Sequence, residues 1–463
     1  MTGVLYLKRH CQELIENSVS ATRWIFSFVV ILLPLSSLAQ TDTVYFNSGI
    51  RFFRTKNYVD AIKQFSKAID EAPQDITYYM YRAETNAIIK DYKNAINDFS
   101  KIIAINPKET AAYINRALIK IYARDYNGAI ADCNQALRFD PKAGHAFANR
   151  GLAKQSLKDF KGAVADYTIA ISINSRDTLS FANRGVAKNN LHDFKGAISD
   201  LDSALLLKSE FPLVYFNRGL TNLLIRNYNN SINDFKQAFA QRQAMAKARD
   251  IKISKAKSLA DYEQILDELL IEGLTNDEYK VFYAEAYYGR GLNKSEKNDF
   301  KAAVTDFSMA ININNIYVDA YTQRGIALAK INNNNAAMVD LNKAVELDPG
   351  NPVSYYNRGR LKSAMLRYTD GIADIDKSIQ IDPRLSEAYL EKGSVLLKLK
   401  RYKEGLIVLN KAVALNPYNG GIYYKRAGAK IFLNDNDGAC ADLNKANDLG
   451  YTQAAVIIKM ICK

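Results

Sequence analysis

Histidine and cysteine are scarce in this chain of 463 residues, which has three of the one and four of the other. His145 and His192 lie apart, and His10 sits in a leader-like segment, so no metal-ligand spacing is formed. CxxC, HExxH, GxSxG and phosphate-loop motifs are missing, and with them the usual redox, metallohydrolase, serine-hydrolase and nucleotide chemistries. The reading is of a chain that is not an enzyme, with no cofactor, no metal and no small-molecule substrate. Proline is sparse as well, nine in all, and its placement is periodic. Long apolar runs are lacking: the fifteen residues from Trp24 to Leu38 are too few to span a bilayer comfortably, and Pro34 interrupts them.

That short run follows Arg23 and ends Ser37-Leu38-Ala39-Gln40, which gives the charged, apolar and small-x-small regions of a secretory signal peptide. The expectation is a signal over residues 1–39, cleaved near Ala39. Retention as an uncleaved anchor, or a start further downstream, is the alternative, and only retention would bring the chain to a membrane. No cysteine lies at the cut, which argues against a lipid anchor. Cleavage removes Lys8, Arg9 and Arg23 against Glu13 and Glu16, so the net charge falls from +13 to +12. That excess is spread along the chain without the aromatic-and-basic stripe that single strands need, so nucleic acid is not expected as a partner. With 48 % hydrophobic and 24 % charged residues, the remainder is an ordinary folded chain.

What is present is a 34-residue period. With Asp42 as position 1, six repeats run through residues 42–245, and five more run through 284–453. Position 8 is always Gly or Ala, and position 20 is always Ala, Ser or Gly. Two small sites twelve residues apart let two helices cross closely, with aromatic side chains at positions 4 and 24 filling the space around them. Apolar residues at 20, 21, 24, 27 and 28 give the second helix a 3.6-residue stripe. Of the eight prolines after residue 39, six fall at position 32 and two at position 1, none inside a predicted helix. Each repeat therefore reads as helix, short turn, helix and break. A period of this length means a stacked array in which no repeat buries its own core.

Small-8, Tyr/Phe-4, Ala-20, aromatic-24, Ala-27 and Pro-32 on this period resemble the tetratricopeptide repeat family, over about 374 residues. The resemblance implies an all-α solenoid of stacked antiparallel helix pairs, wound into a right-handed superhelix. It also implies that the first helices line a concave groove that holds peptides or partner proteins. Residues 246–283 keep rough phase but lose the small sites, and are expected to form a degenerate repeat with an insert. Either a solvated helical pair or a hinge and docking module fits them. Residues 454–463 are expected to form a capping helix.

Arginine at position 7 and aspartate at position 23 occur together in nine repeats, among them Arg150/Asp166 and Arg184/Asp200, and are absent together from the first, which has Ser48 and Gln64. Joint presence and absence points to an ion pair between the helices of each repeat; free arginines that clamp an acidic ligand are the alternative. By resemblance, position 6 faces the groove, so Asn115, Asn149, Asn183 and Asn217 are candidates to meet a peptide backbone, beside Ile114, Leu118, Leu152, Val186, Phe216 and Leu220. Capping or solvating the inner face is the plainer role for these asparagines. The Lys-5 and Asn-9 pair that clamps a terminal carboxylate in co-chaperone members is absent from every repeat. Cys133 takes a packing position. Cys440 is expected to face the element after the last repeat, which carries Cys462; the two are either joined or, with that helix out of phase, free. The sequence thus points to an exported scaffold for a protein or peptide partner, acting in envelope assembly, periplasmic before extracellular. A spacer or self-assembling envelope or surface component without a dedicated ligand is the other reading.

Overall fold

The computed structural model describes residues 42–254 and 276–462. The expected signal segment and most of the expected insert lie outside the described residues. Six helix pairs come first: α1 (Asp42–Arg54) with α2 (Tyr58–Glu71), α3 (Ile76–Ile88) with α4 (Tyr92–Ile105), and α5 (Thr110–Tyr122) with α6 (Tyr126–Phe139). They continue as α7 (Gly144–Ser156) with α8 (Phe160–Ile173), α9 (Thr178–Asn190) with α10 (Phe194–Leu207), and α11 (Pro212–Leu224) with α12 (Tyr228–Ser254). Then come α13 (Asn276–Glu296) with α14 (Phe300–Ile313), α15 (Val318–Lys330) with α16 (Asn334–Leu347), and α17 (Pro352–Ala364) with α18 (Tyr368–Ile381). Last are α19 (Ser386–Lys398) with α20 (Tyr402–Leu415), α21 (Gly420–Phe432) with α22 (Asn436–Asp448), and a lone α23 (Ala454–Ile461). There is no strand among the described residues, and consecutive helices pack on one another along each stack.

The turn inside each repeat is set by two adjacent residues. Position 15 takes a left-handed conformation in all eleven repeats, from Lys56 (φ 65°) to Asn434 (φ 61°). In the third repeat this lets Asp125 N–H donate to the Lys120 carbonyl at 2.8 Å and Arg124 N–H to Ile121 at 3.0 Å, which closes the end of α5. Position 16 then caps the second helix: the Asp125 carboxylate accepts from Gly128 N–H at 2.9 Å, and Asp91, Asp159, Asp193, Asp299 and Asp435 do the same in their repeats. A connection this short forces the two helices of a repeat antiparallel.

Core packing follows the small-residue spacing. Phe65, Phe99, Tyr167, Phe235 and Phe307, all at position 24, are fully buried. In the ninth repeat both small sites are glycine and the helices approach closely. A Cβ on Gly359 would stand 2.8 Å from the Gly371 carbonyl oxygen, and one on Gly371 2.9 Å from the Gly359 carbonyl oxygen, so neither site accepts a side chain unless the two backbones move apart.

The chain divides into two compact units, the first ending at Phe282 and the second starting at Tyr283. The helices on either side of the expected insert are longer than the period predicts. α12 has 27 residues and α13 has 21, against 13 or 14 in the regular repeats. In the first unit, Phe282 packs its ring against Phe216 (5.4 Å between centroids) and Phe235 (6.5 Å), so α13 begins before the period would start a repeat. At the far end of the second unit, α23 lays Ile457, Ile458 and Ile461 on Tyr423, Leu443 and Ala446. A disulfide joins Cys440 to Cys462, with Cα atoms 5.6 Å apart.

Candidate functional site

The first helices carry most of the polar chemistry, beginning with the position-7 arginines. Arg184 donates from Nε and Nη2 to the two carboxylate oxygens of Asp200, at 2.8 and 2.7 Å. Arg150 does the same to Asp166, at 2.9 and 2.6 Å. The third nitrogen reaches back to the preceding repeat: Arg184 Nη1 to Thr168 Oγ1 at 3.1 Å, and Arg150 Nη1 to Asn134 Oδ1 at 2.7 Å. The guanidinium planes also lie near the position-4 rings, 5.6 Å from Phe181 and 5.2 Å from Phe147. Every donor-bearing edge is committed to the fold. That geometry matches a structural ion pair and leaves these arginines no free face for an acidic ligand.

Two partners in this ladder escaped the sequence reading. Position 11 places a second cation on the same aspartate: Lys188 on Asp200, Lys154 on Asp166 and Lys120 on Asp132, each at 2.8 Å. In the second and sixth repeats the role passes to Asn86 and Asn222. Position 25 supplies the acceptor for the next repeat's arginine: Ser66, Ser100, Asn134, Thr168, Asp202, Ser308, Asn342 and Asn410. In the tenth repeat, where Lys392 replaces arginine, Asp376 meets it at 2.6 Å. The signal was there in the sequence, as a polar residue recurring at a fixed offset, but its type varies.

Two of the position-23 aspartates depart from the ordinary carboxylate value, in opposite directions. Burial works to raise the Asp374 carboxyl, but hydrogen bonds from Arg358 and Lys362 outweigh it and hold the group below its ordinary value. Asp234 goes the other way. Burial outweighs the hydrogen bonds from Arg218 and Asn222 there, and the nearby charge of Asp202, which Arg218 also meets at 2.6 Å, adds to the rise. Burial likewise pushes the Cys133 thiol up to about 12, which leaves it inert as a nucleophile. Among the described residues no three His, Cys, Asp or Glu side chains are grouped to hold a metal.

Of the ten groove candidates, Ile114, Leu118, Leu152, Val186, Phe216, Leu220, Asn115 and Asn183 are each less than a tenth exposed. Asn115 places its amide 3.8 Å from Met80 Sδ, and Asn149 donates to the Ile114 carbonyl at 3.2 Å, so both tie one first helix to the one before it. Only Asn149 and Asn217 keep partial access to solvent. The face comes from the family resemblance, which does not report how closely neighbouring first helices approach.

The open chemistry lies in the second compact unit. A cavity of about 460 Å³ is bounded by α15, α17 and α19 and lined by Ile326, Lys330, Asn357, Arg360, Glu391 and Lys398. Lys330, Arg360 and Lys398 are exposed, Glu391 is half-buried and Asn357 is buried. The Asn357 amide donates to the Val353 carbonyl at 2.9 Å, which leaves its side-chain oxygen available as an acceptor. Arg360 lies 5.6 Å from the Tyr356 ring, and no carboxylate among the described residues forms an ion pair with any of the three cations.

The family model for the tetratricopeptide repeat matches residues 110–142, 318–351 and 386–419. No curated protein matches the chain. Among solved structures, the Cut9–Hcn1 hetero-tetramer of the APC/C is 12 % identical, with 92 % of this chain and 97 % of that one covered and a TM-score of 0.40. Yeast Tom70 is 16 % identical, with 91 % and 95 % covered and a TM-score of 0.35. PilW, a type IV pilus biogenesis factor, is 15 % identical, with 44 % and 94 % covered and a TM-score of 0.41. Residues 110–142, 318–351 and 386–419 are thus tetratricopeptide repeats, and the helix-pair geometry they share is carried through all eleven repeats.

Proposed function

We propose that the chain is a non-catalytic scaffold that holds a partner protein or peptide along its first helices, and that it works after export, in the periplasm, in assembly of the cell envelope. One observation carries the binding role: the array commits its position-7 arginines to packing, yet keeps a solvent-open cavity on three consecutive first helices whose cations form no ion pair with a carboxylate among the described residues. The Cys440–Cys462 disulfide supports an oxidising compartment. No helix among the described residues is long and apolar enough to cross a membrane.

Site-specific photo-crosslinking in the native host tests this reading. A photoreactive residue at Arg360 or Lys398, on first helices, is expected to give a discrete adduct with a partner. The same residue at Val339 or Ile407, which are exposed on second helices, is expected to give none. Adducts at the second-helix sites alone, or self-adducts at both, would favour the spacer or self-assembly reading instead.

A further inference from the structure

We propose that the cavity between α15, α17 and α19 is a specificity pocket for an aspartate or glutamate side chain, projecting from an extended segment of the partner. The proposal rests on the scaffold reading above and adds the residue class that the scaffold selects. The position-7 arginines and position-11 lysines of the first helices are spent on the fold, where they share the position-23 aspartates. The pocket cations sit at different positions, 9 for Arg360 and 13 for Lys330 and Lys398, and come from three consecutive repeats. Position 9 is apolar in the neighbouring seventh and eighth repeats, as Leu292 and Ile326, so packing does not demand an arginine there.

Three like charges around one cavity repel one another, and Glu391 is the one carboxylate in the lining. A bound carboxylate would relieve that repulsion and accept the planar fork of Arg360. The remaining polar groups suit a peptide main chain: Asn357 offers an oxygen to a backbone N–H, and Glu391 offers a second acceptor. A volume of about 460 Å³ suits a few side chains of an extended segment and is too small for a packed helix pair. Nucleic acid fits poorly, because Glu391 would face its phosphates and no stacking platform lines the cavity.

The test uses a random peptide library displayed between two flanking domains, so that no free terminus is present, panned against the full chain. The expected result is a consensus with Asp or Glu at one position. The selected peptide should bind at least roughly tenfold more tightly than its Asn or Gln isostere, with an affinity that falls as salt is raised. Arg360→Gln combined with Lys398→Gln should lose the same factor and lose nothing more with the isostere, whereas Arg360→Lys should keep part of the affinity. Both side chains are exposed and outside any ion pair, so an unchanged melting temperature checks that the variant is folded. Selected peptides without an acidic position, or an acidic preference that survives in the variant, would overturn the pocket and leave the scaffold standing. Binding restricted to peptides with a free carboxyl terminus would also overturn it, in favour of terminal-carboxylate recognition. Failure to select any peptide would remove both the pocket and the scaffold reading.

Discussion

The left-handed residue at position 15 costs more in some repeats than in others. Asparagine tolerates this conformation, but a leucine brings its Cβ against the following carbonyl at a cost of about 1–2 kcal/mol. Leu366 holds φ 64° while 72 % exposed, so its side chain gives almost nothing back through burial. Leu366→Gly is expected to stabilise the protein by about 1 kcal/mol, the larger freedom of glycine in the unfolded chain taking back part of the relief. Asn332→Gly, at the same position one repeat earlier (φ 62°), should change little and serves as the control. Urea unfolding of the two variants checks both; equal effects would mean the strain is not local to leucine. These turns were not legible in the sequence because the usual marker, glycine, is missing from position 15 in every repeat.

Within a helix pair, the aspartate at position 23 is the hub and the cations are its spokes. Asp200 is 4 % exposed and receives both Arg184 and Lys188, so Asp200→Ala strands two partly buried cations while Arg184→Ala strands none. Asp200→Ala should therefore be the costlier change, by roughly 1–3 kcal/mol, and a double-mutant cycle with Arg184→Ala should show coupling; strict additivity would contradict the pairing. The sixth repeat offers a test in the opposite direction. The Asp234 carboxyl is raised, so the folded state holds its proton more tightly than the unfolded chain, and stability falls as pH rises through the folded value. Asp374 is lowered, so its contribution is present above the unfolded value and is lost as pH falls through the folded one. Asn222→Lys supplies the cation that Asp234 lacks. It should raise the urea midpoint at neutral pH, with the gain shrinking at about pH 3, where the carboxylate is protonated. The arginine–aspartate pairs were legible because both partners vanish together in the first repeat. The lysine spokes and the position-25 acceptors were not, because their residue types vary from repeat to repeat. The burial of groove candidates such as Val186 and Leu220 was not legible either, because the family resemblance assigns a face and not how closely neighbouring helices cover it.

At the scale of the whole array, the helix pairs were implied by the period and the capping helix by the residues left after the last repeat, whereas the long α12 and α13 were not, because the period lapses there. The capping helix α23 is short, eight residues, and would be marginal by itself. The disulfide closes a loop with a separation of 22 residues, for which chain entropy corresponds to about 3 kcal/mol. Reduction is expected to speed amide exchange in α23 and lower the melting temperature; Cys440→Ser should reproduce both effects and make the protein indifferent to reductant. The same end of the chain shows how the ladder is directed. Each regular repeat extends a donor to the repeat before it and an acceptor to the repeat after it, so a repeat copied whole and inserted anywhere along the ladder would arrive with both connectors in place. The array is in that sense modular for gene duplication, and its length can drift without redesign of any interface. Two places break the acceptor side of the rule. Lys236 stands where the sixth repeat should offer an acceptor, and Asn444 in the last repeat is exposed with no arginine to receive. Lineages that gain or lose repeats should do so between these two marks or before the first, and not across them.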